Sequence, residues 1–293
     1  MRLLEFTSIL VAGFEAVGRM GSRLLGVRRR WLETQRGRLN LLEVEGRGDL
    51  PPIVLFHGLA SCALDYGPLF PRLSRHARHL FALDMPGHGQ SPVPEGGMDP
   101  DALEEAILEA LDQVVDEPVI LVGNSMGGLA ALRYARARPE RVLGLVLASP
   151  GGAPMTAEAL DGLLDVFRIR TLRKARAFVE RFAAHPNWLV RHVVAWGVRY
   201  RTRSKGVSDL VSRIDSELLL TPDELEDLDM PMLIVWGAED GLLPSEHVEF
   251  FETHLPHAAI EKPEGMGHSP FFDRPRAFAK RILRFARELE ESS

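Results

Sequence analysis

Gly123-Asn124-Ser125-Met126-Gly127 places one hydroxyl between two glycines. The apolar run Val119-Ile120-Leu121-Val122 leads straight into it, and Leu129-Ala130-Ala131-Leu132-Arg133-Tyr134-Ala135, a stretch of helical composition, follows at once. This order predicts a strand buried on both faces, a very tight turn and a helix. The glycines suit such a turn, because a Cβ at either position would collide with the strand or the helix. Ser125 then sits strained at the tip with its hydroxyl exposed. Its backbone lies at a helix N-terminus, where unpaired N–H groups favour developing negative charge. The chemistry this predicts is attack on an electrophilic carbon through a covalent serine intermediate. The duller alternative is a glycine-rich turn that happens to hold a serine, in a chain with 26 glycines.

A serine nucleophile needs a base, and the base needs an orienting acid. After a turn of this kind the acid and then the histidine follow in chain order. Downstream, Pro231-Met232-Leu233-Ile234-Val235-Trp236 reads as a second buried strand. It runs into Gly237-Ala238-Glu239-Asp240-Gly241-Leu242-Leu243-Pro244, with carboxylates at the strand's C-terminal end, where open α/β sheets place their sites. Gly265-Met266-Gly267-His268-Ser269-Pro270 sets a histidine in a glycine-flanked loop before the last helix. Upstream, Ile53–Phe56 leads into His57-Gly58-Leu59-Ala60, and Leu80–Asp84 into Met85-Pro86-Gly87-His88-Gly89-Gln90-Ser91.

Together these blocks resemble the α/β-hydrolase fold family, over about Leu39 to Leu289 and in the family's order. The resemblance implies a mostly parallel central sheet flanked by helices, with a helical lid inserted before the acid-bearing strand. It implies Ser125 as nucleophile, Asp240 as acid and His268 as base. His57-Gly58-Leu59 looks like the family's oxyanion loop, so the backbone N–H of Leu59 would join that of Met126. Asp84 through Ser91 is similar to a structural turn of the family. Relatives that break carbon–halogen bonds or open epoxides carry Asp at the nucleophile position, so Ser125 points to acyl chemistry. No cofactor is required, and no metal spacing is present.

The other candidates have plainer roles. Glu239 competes with Asp240, but Gly237-x-x-Asp240-x-x-x-Pro244 fits the family at Asp240, leaving Glu239 as a solvent-facing residue or a loop anchor. His57 and His88 stand at the wrong points in the chain order to be bases and are expected to bond loop backbone. Cys62, the only cysteine, reads as a small buried hydrophobe near the site. Asp84, in a Pro-Gly turn, reads as structural.

Length and composition suit one large hydrolase domain: 293 residues, 45% hydrophobic, with a formal net charge of −6. Nothing points to nucleic-acid binding or to a disulfide-dependent fold. The expected division is an N-terminal basic amphipathic helical segment over 1–38, a core over 39–150 and 229–293, and a lid over 151–228. The first segment holds eight basic residues against three acids, and its uncharged runs are far too short to span a bilayer. It either packs on the body or lies on an anionic membrane surface. In the insert, Arg168 to Lys205 carries eleven basic residues and one acid, Glu180. That charge is either a solvated face or a contact for anionic lipid or an acidic substrate group. Thr156, Asp99-Pro100 and Thr221-Pro222-Asp223-Glu224 mark helix starts.

The expected activity is hydrolysis of carboxylic esters, of the carboxylesterase or monoacylglycerol-lipase-like kind, by a cytoplasmic protein with a small-molecule acyl ester as partner. An apolar channel lined by Leu160, Leu163, Leu164, Val166, Phe167 and Ile169 would favour medium chains. Two alternatives stay open. Hydrolases that cleave carbon–carbon bonds in aromatic ring-fission products share the elbow residues and use a lid arginine, for which Arg168, Arg173, Arg176 and Arg191 are available. They typically carry Trp after the histidine, where this chain has Ser269. The other alternative is a non-catalytic ligand-binding relative.

Overall fold

The computed structural model describes residues 26–292. Eight strands form one sheet: β1 (Arg28–Thr34), β2 (Gly37–Glu45), β3 (Ile53–Phe56), β4 (His79–Leu83), β5 (Val119–Asn124), β6 (Val142–Ala148), β7 (Met232–Val235) and β8 (Ala259–Glu261). Their spatial order is β1-β2-β4-β3-β5-β6-β7-β8. The β1–β2 and β2–β4 pairs are antiparallel, and every other pair is parallel. The chain steps from β3 outward to β4, then returns to the other side of β3 with β5. Such a reversal opens a crevice at the C-terminal ends of the two central strands, and both Leu59 and Ser125 follow those ends.

The central strands are apolar on both faces because both faces are covered. Val54, Phe56, Leu121 and Leu145 point into one layer, while Ile53, Leu55, Ile120 and Val146 point into the other. The first layer is closed by α1 (Pro100–Asp112), α2 (Met126–Ala137) and α7 (Glu246–His254), through Ile107, Leu132 and Phe251. The second is closed by α8 (Pro275–Ser292), through Phe278, Ile282 and Ala286.

Between β6 and β7 lie four helices of more than one turn, α3 (Ala157–Asp165), α4 (Leu172–Phe182), α5 (Trp188–Arg201) and α6 (Lys205–Val211). They have their own small core of Leu164, Phe167, Phe178, Val179, Ala195 and Val207, which reaches the body at Ala60 and Leu242. Two expected helix starts form as read: Asp99 caps α1 through Ala102 N, and Thr156 caps α3 through Ala159 N. At Thr221 the cap is only half made. The Glu224 carboxylate accepts from Thr221 N at 2.9 Å, but the helix that follows is a single turn, Asp223–Glu226.

The expected basic helical segment over 1–38 needs correction at its C-terminal end. Arg28–Thr34 is an edge strand, hairpinned onto β2 through Gln35 and Arg36, with Gly37 at φ 114 opening β2. Alternation explains it, since Leu32 turns into the core while its neighbours Trp31 and Glu33 do not. The stretch before residue 26 lies outside the described residues.

Candidate active site

Ser125 stands between β5 and α2 with φ 56 and ψ −122, a positive φ that a side-chain-bearing residue adopts only at a cost of order 1–3 kcal/mol. Close packing imposes it. A Cβ on Gly123 would lie 2.3 Å from Gly127 O, and one on Gly127 would lie 2.2 Å from Phe56 O, so α2 can start this close to β3 and β5 only with glycine at both places. Ser125 N donates to Ala148 O at 3.1 Å, anchoring the turn to β6.

Two backbone N–H groups flank the serine without an acceptor among the described residues: Met126, the first residue of α2, and Leu59, in the loop after β3. Leu59, Ser125 and Met126 line the same cavity. The loop holding Leu59 is fixed from below by His57. Its Nδ1 bonds Gly58 O at 2.8 Å and its Nε2 accepts from Met85 N at 3.0 Å. Those partners require a neutral ring protonated at Nδ1, and burial drives the His57 pKa down to about 4. His88, buried and bonded to Pro86 O at 2.9 Å, is lowered to about 3, first by burial and then by the nearby His57. Neither ring is placed to act as a base at neutral pH, in keeping with the sequence reading.

The acid and base candidates meet. Asp240 Oδ2 lies 2.8 Å from His268 Nδ1, with side-chain exposures of 1% and 3%. Asp240 Oδ1 accepts from Leu242 N at 2.8 Å and Leu243 N at 3.1 Å. Burial alone would raise this carboxyl's pKa. The charge and hydrogen bond of His268, together with the two amides, outweigh burial and hold it below the usual carboxylate range. Glu239 faces elsewhere, accepting from Gly265 N and Met266 N at 3.0 Å each, so it ties the histidine loop to the end of β7. Asp273 does similar work, accepting from Gly267 N at 2.8 Å and Ala184 N at 3.1 Å. His268 N donates to Phe182 O at 2.9 Å, which brings the end of α4 directly against the site.

One residue that sequence reasoning passed over is Asn124. Its buried Nδ2 donates to Ala148 O at 2.9 Å and His268 O at 2.8 Å, while its Oδ1 accepts from Ser269 Oγ at 2.8 Å. The residue before Ser125 thus grips both residues of the histidine's loop. A signal was present: Asn is depleted in strands, and a buried one ending an all-apolar run needs polar partners. Cys62 is buried as expected, and Arg201 bonds its Sγ at 3.2 Å.

The cavity runs from Ser125 between α1, α2 and α3. Its walls are mainly apolar, with Leu103, Ile107, Leu129, Leu160, Leu163 and Phe167 among them, and the Arg133–Glu104 pair lies at its edge. Leu160, Leu163, Leu164 and Phe167 line it as expected, while Val166 and Ile169 do not. Arg168, Arg173, Arg176 and Arg191 also lie outside its lining, the first bound to Asp161 and the last to Glu180. Among the described residues no cluster of ligands fits a metal ion.

Comparison with known proteins agrees with this architecture. Residues 53–281 match the model of the alpha/beta hydrolase family. A pimeloyl-(acyl-carrier protein) methyl ester esterase of Yersinia enterocolitica is 29% identical over 255 residues, covering 83% of this chain and 95% of that protein. Among solved structures, naproxen esterase from Bacillus subtilis superposes with TM-score 0.75 at 19% identity, over 88% of this chain and 91% of its own. The 2-hydroxy-6-oxo-6-phenylhexa-2,4-dienoate hydrolase of Rhodococcus sp. strain RHA1 superposes with TM-score 0.74 at 24% identity, over 89% and 99%.

Proposed function

Because the chain belongs to the alpha/beta hydrolase family, we propose that it is a serine hydrolase of carboxylic esters that works through an acyl-enzyme on Ser125. The observation that carries this reading is the buried 2.8 Å bond between Asp240 and His268, in a site whose serine is held at positive φ. An ionised Asp240 can only accept, so His268 keeps its proton on Nδ1 and leaves Nε2 as the base. Ser125 Oγ attacks the acyl carbonyl as His268 Nε2 takes its proton. The N–H groups of Leu59 and Met126 receive the oxyanion, a contribution of roughly 3 kcal/mol per donor in related chemistry. His268 then gives the proton to the departing alcohol, and water activated by the same ring releases the acid.

Residues 151–228 act in this reading as a lid whose α3 side chains wall the acyl pocket. The apolar cavity supports a hydrocarbon acyl chain, and the named activity of the Yersinia relative supports a carboxylic ester. Carbon–carbon hydrolysis is less favoured, because the four lid arginines considered for a substrate carboxylate stand outside the cavity lining. The experiment is a series of p-nitrophenyl esters from acetate to dodecanoate, run beside a ring-fission dienoate. Ester turnover that rises into the medium chains, with no cleavage of the dienoate, is the expected result. Dienoate cleavage exceeding ester cleavage overturns it.

A further inference from the structure

Helix α5 contains nine apolar or aromatic residues among its fourteen, yet Ala195 is its only buried one. An ordinary amphipathic helix turns such residues onto a core. The exposed large hydrophobics among the described residues are Trp188 at 70%, Leu189 at 55%, Tyr200 at 46% and Val193 at 38%, and all four lie on this helix. Leu189, Val193, Trp196 and Tyr200 follow one another at intervals of four, three and four. At about 100° per residue they fall within roughly 60° of arc, a continuous apolar stripe. The opposite side is secured to the rest of the protein. Ala195 packs in the small core of the insert, and Arg201 grips Asp65 with bonds of 2.6 and 3.0 Å.

The surroundings of the stripe are cationic. From Arg168 to Lys205 there are eleven basic residues and a single acid, Glu180, which is paired with Arg191. Arg168, Lys174, Arg201 and Lys205 also have carboxylate partners. Arg170, Arg173, Arg176, Arg199 and Arg203 have no carboxylate within 4.0 Å among the described residues, and Arg199 lies 6.0 Å over the Trp196 ring.

We propose that the outer face of α5 docks on an anionic lipid bilayer, inserting the Leu189–Val193–Trp196–Tyr200 stripe at the interface while the neighbouring arginines meet the headgroups. Aromatic and aliphatic side chains on one face with cations around them are what an interfacial helix requires. Two copies joined through this face would bring two cationic surfaces together, so charge favours lipid over self-association. With a formal net charge of −6, the chain approaches an anionic surface favourably by a cationic face, and the outer side of α5 offers one. Docking does not depend on the hydrolytic reading.

The test is flotation of the full chain with vesicles of phosphatidylglycerol and phosphatidylcholine, against vesicles of phosphatidylcholine alone, at low and high salt. Binding should require the anionic lipid and weaken as salt rises. L189E/V193E should lower the partition coefficient at least tenfold, leaving the melting temperature and the hydrolysis of a soluble ester unchanged. R170Q/R173Q gives an independent check if the first variant folds poorly, and should weaken binding several-fold at low salt. The proposal is overturned by absence of vesicle binding at low salt, or by binding that L189E/V193E and R170Q/R173Q both leave intact. It is equally overturned if the stripe drives a concentration-dependent dimer instead, or holds a soluble acidic protein while vesicles go unbound.

Discussion

Ser269 Oγ donates to Asn124 Oδ1 across 2.8 Å, joining the loop of His268 to the residue immediately before Ser125. With the Asn124 donation to His268 O at 2.8 Å, this fixes the histidine's backbone relative to the serine's. Asn124 ends β5, so the loop of His268 is registered against Ser125 by a central strand of the sheet.

Removing this clamp should cost activity in proportion to the bonds lost. Asn124→Ala leaves the buried His268 carbonyl without its donor, while Ala148 O keeps that of Ser125 N, a penalty of about 1–3 kcal/mol. Its kcat should fall at least tenfold, with KM little changed. Ser269→Ala removes one bond and should cost only a few-fold. Steady-state kinetics of both variants on one soluble ester checks the order, and equal losses would contradict it.

The identity of the acid is tested by a pair of substitutions. Asp240→Asn removes the carboxylate that fixes the His268 tautomer, and a loss of about 10⁴-fold in kcat is expected. Glu239→Gln keeps one acceptor oxygen for the amides of Gly265 and Met266. It should lower the melting temperature while sparing most of the turnover. The reverse pattern would transfer the role to Glu239.

Two buried histidines contribute to the acid sensitivity expected of the fold. In the unfolded chain both His57 and His88 protonate near pH 6.5. In the folded protein they stay neutral down to about 4 and about 3. The unfolded state therefore binds more protons in this window. Stability is fully present above pH 6.5 and declines as pH falls toward 4, by up to about 1.4 kcal/mol per pH unit for each ring. Urea midpoints measured across this range should show the slope, and His88→Gln should make it shallower by about one proton. Identical slopes would contradict the assignment.

Filling the cavity should shorten the preferred acyl chain. Leu163 lines it from α3, and Leu163→Trp would remove space without touching Ser125, Asp240 or His268. Each buried methylene contributes about 0.8 kcal/mol, so the advantage of octanoate over acetate esters should collapse while acetate turnover persists. The ratio of kcat/KM values across the chain series measures this.

Much of this arrangement is legible in the sequence. The parallel strands announced themselves as short apolar runs, because a strand covered on both faces has no polar alternation to confuse with a helix. The meeting of Asp240 with His268, and the place of Ser125 in the turn after β5, could be expected because each residue sits in a glycine-marked turn or loop after a strand. The edge was harder. Arg28–Thr34 carries its charges outward on a half-exposed strand, and a basic sequence with scattered apolar residues suits a surface helix as well as an edge strand. Asn124, Asp273 and Arg201 were missed because each role depends on at least one partner 24 to 145 residues away, a separation that no local pattern encodes.

Acylation of Ser125 Oγ is the step on which the proposed function rests. Treating the protein with an excess of a fluorophosphonate, then measuring intact mass and mapping the modified peptide, reads this directly. One equivalent of adduct on Ser125, none in Ser125→Ala, and loss of ester hydrolysis in step with labelling are the predicted results. An adduct on another residue, or undiminished hydrolysis after Ser125 is fully modified, would contradict it.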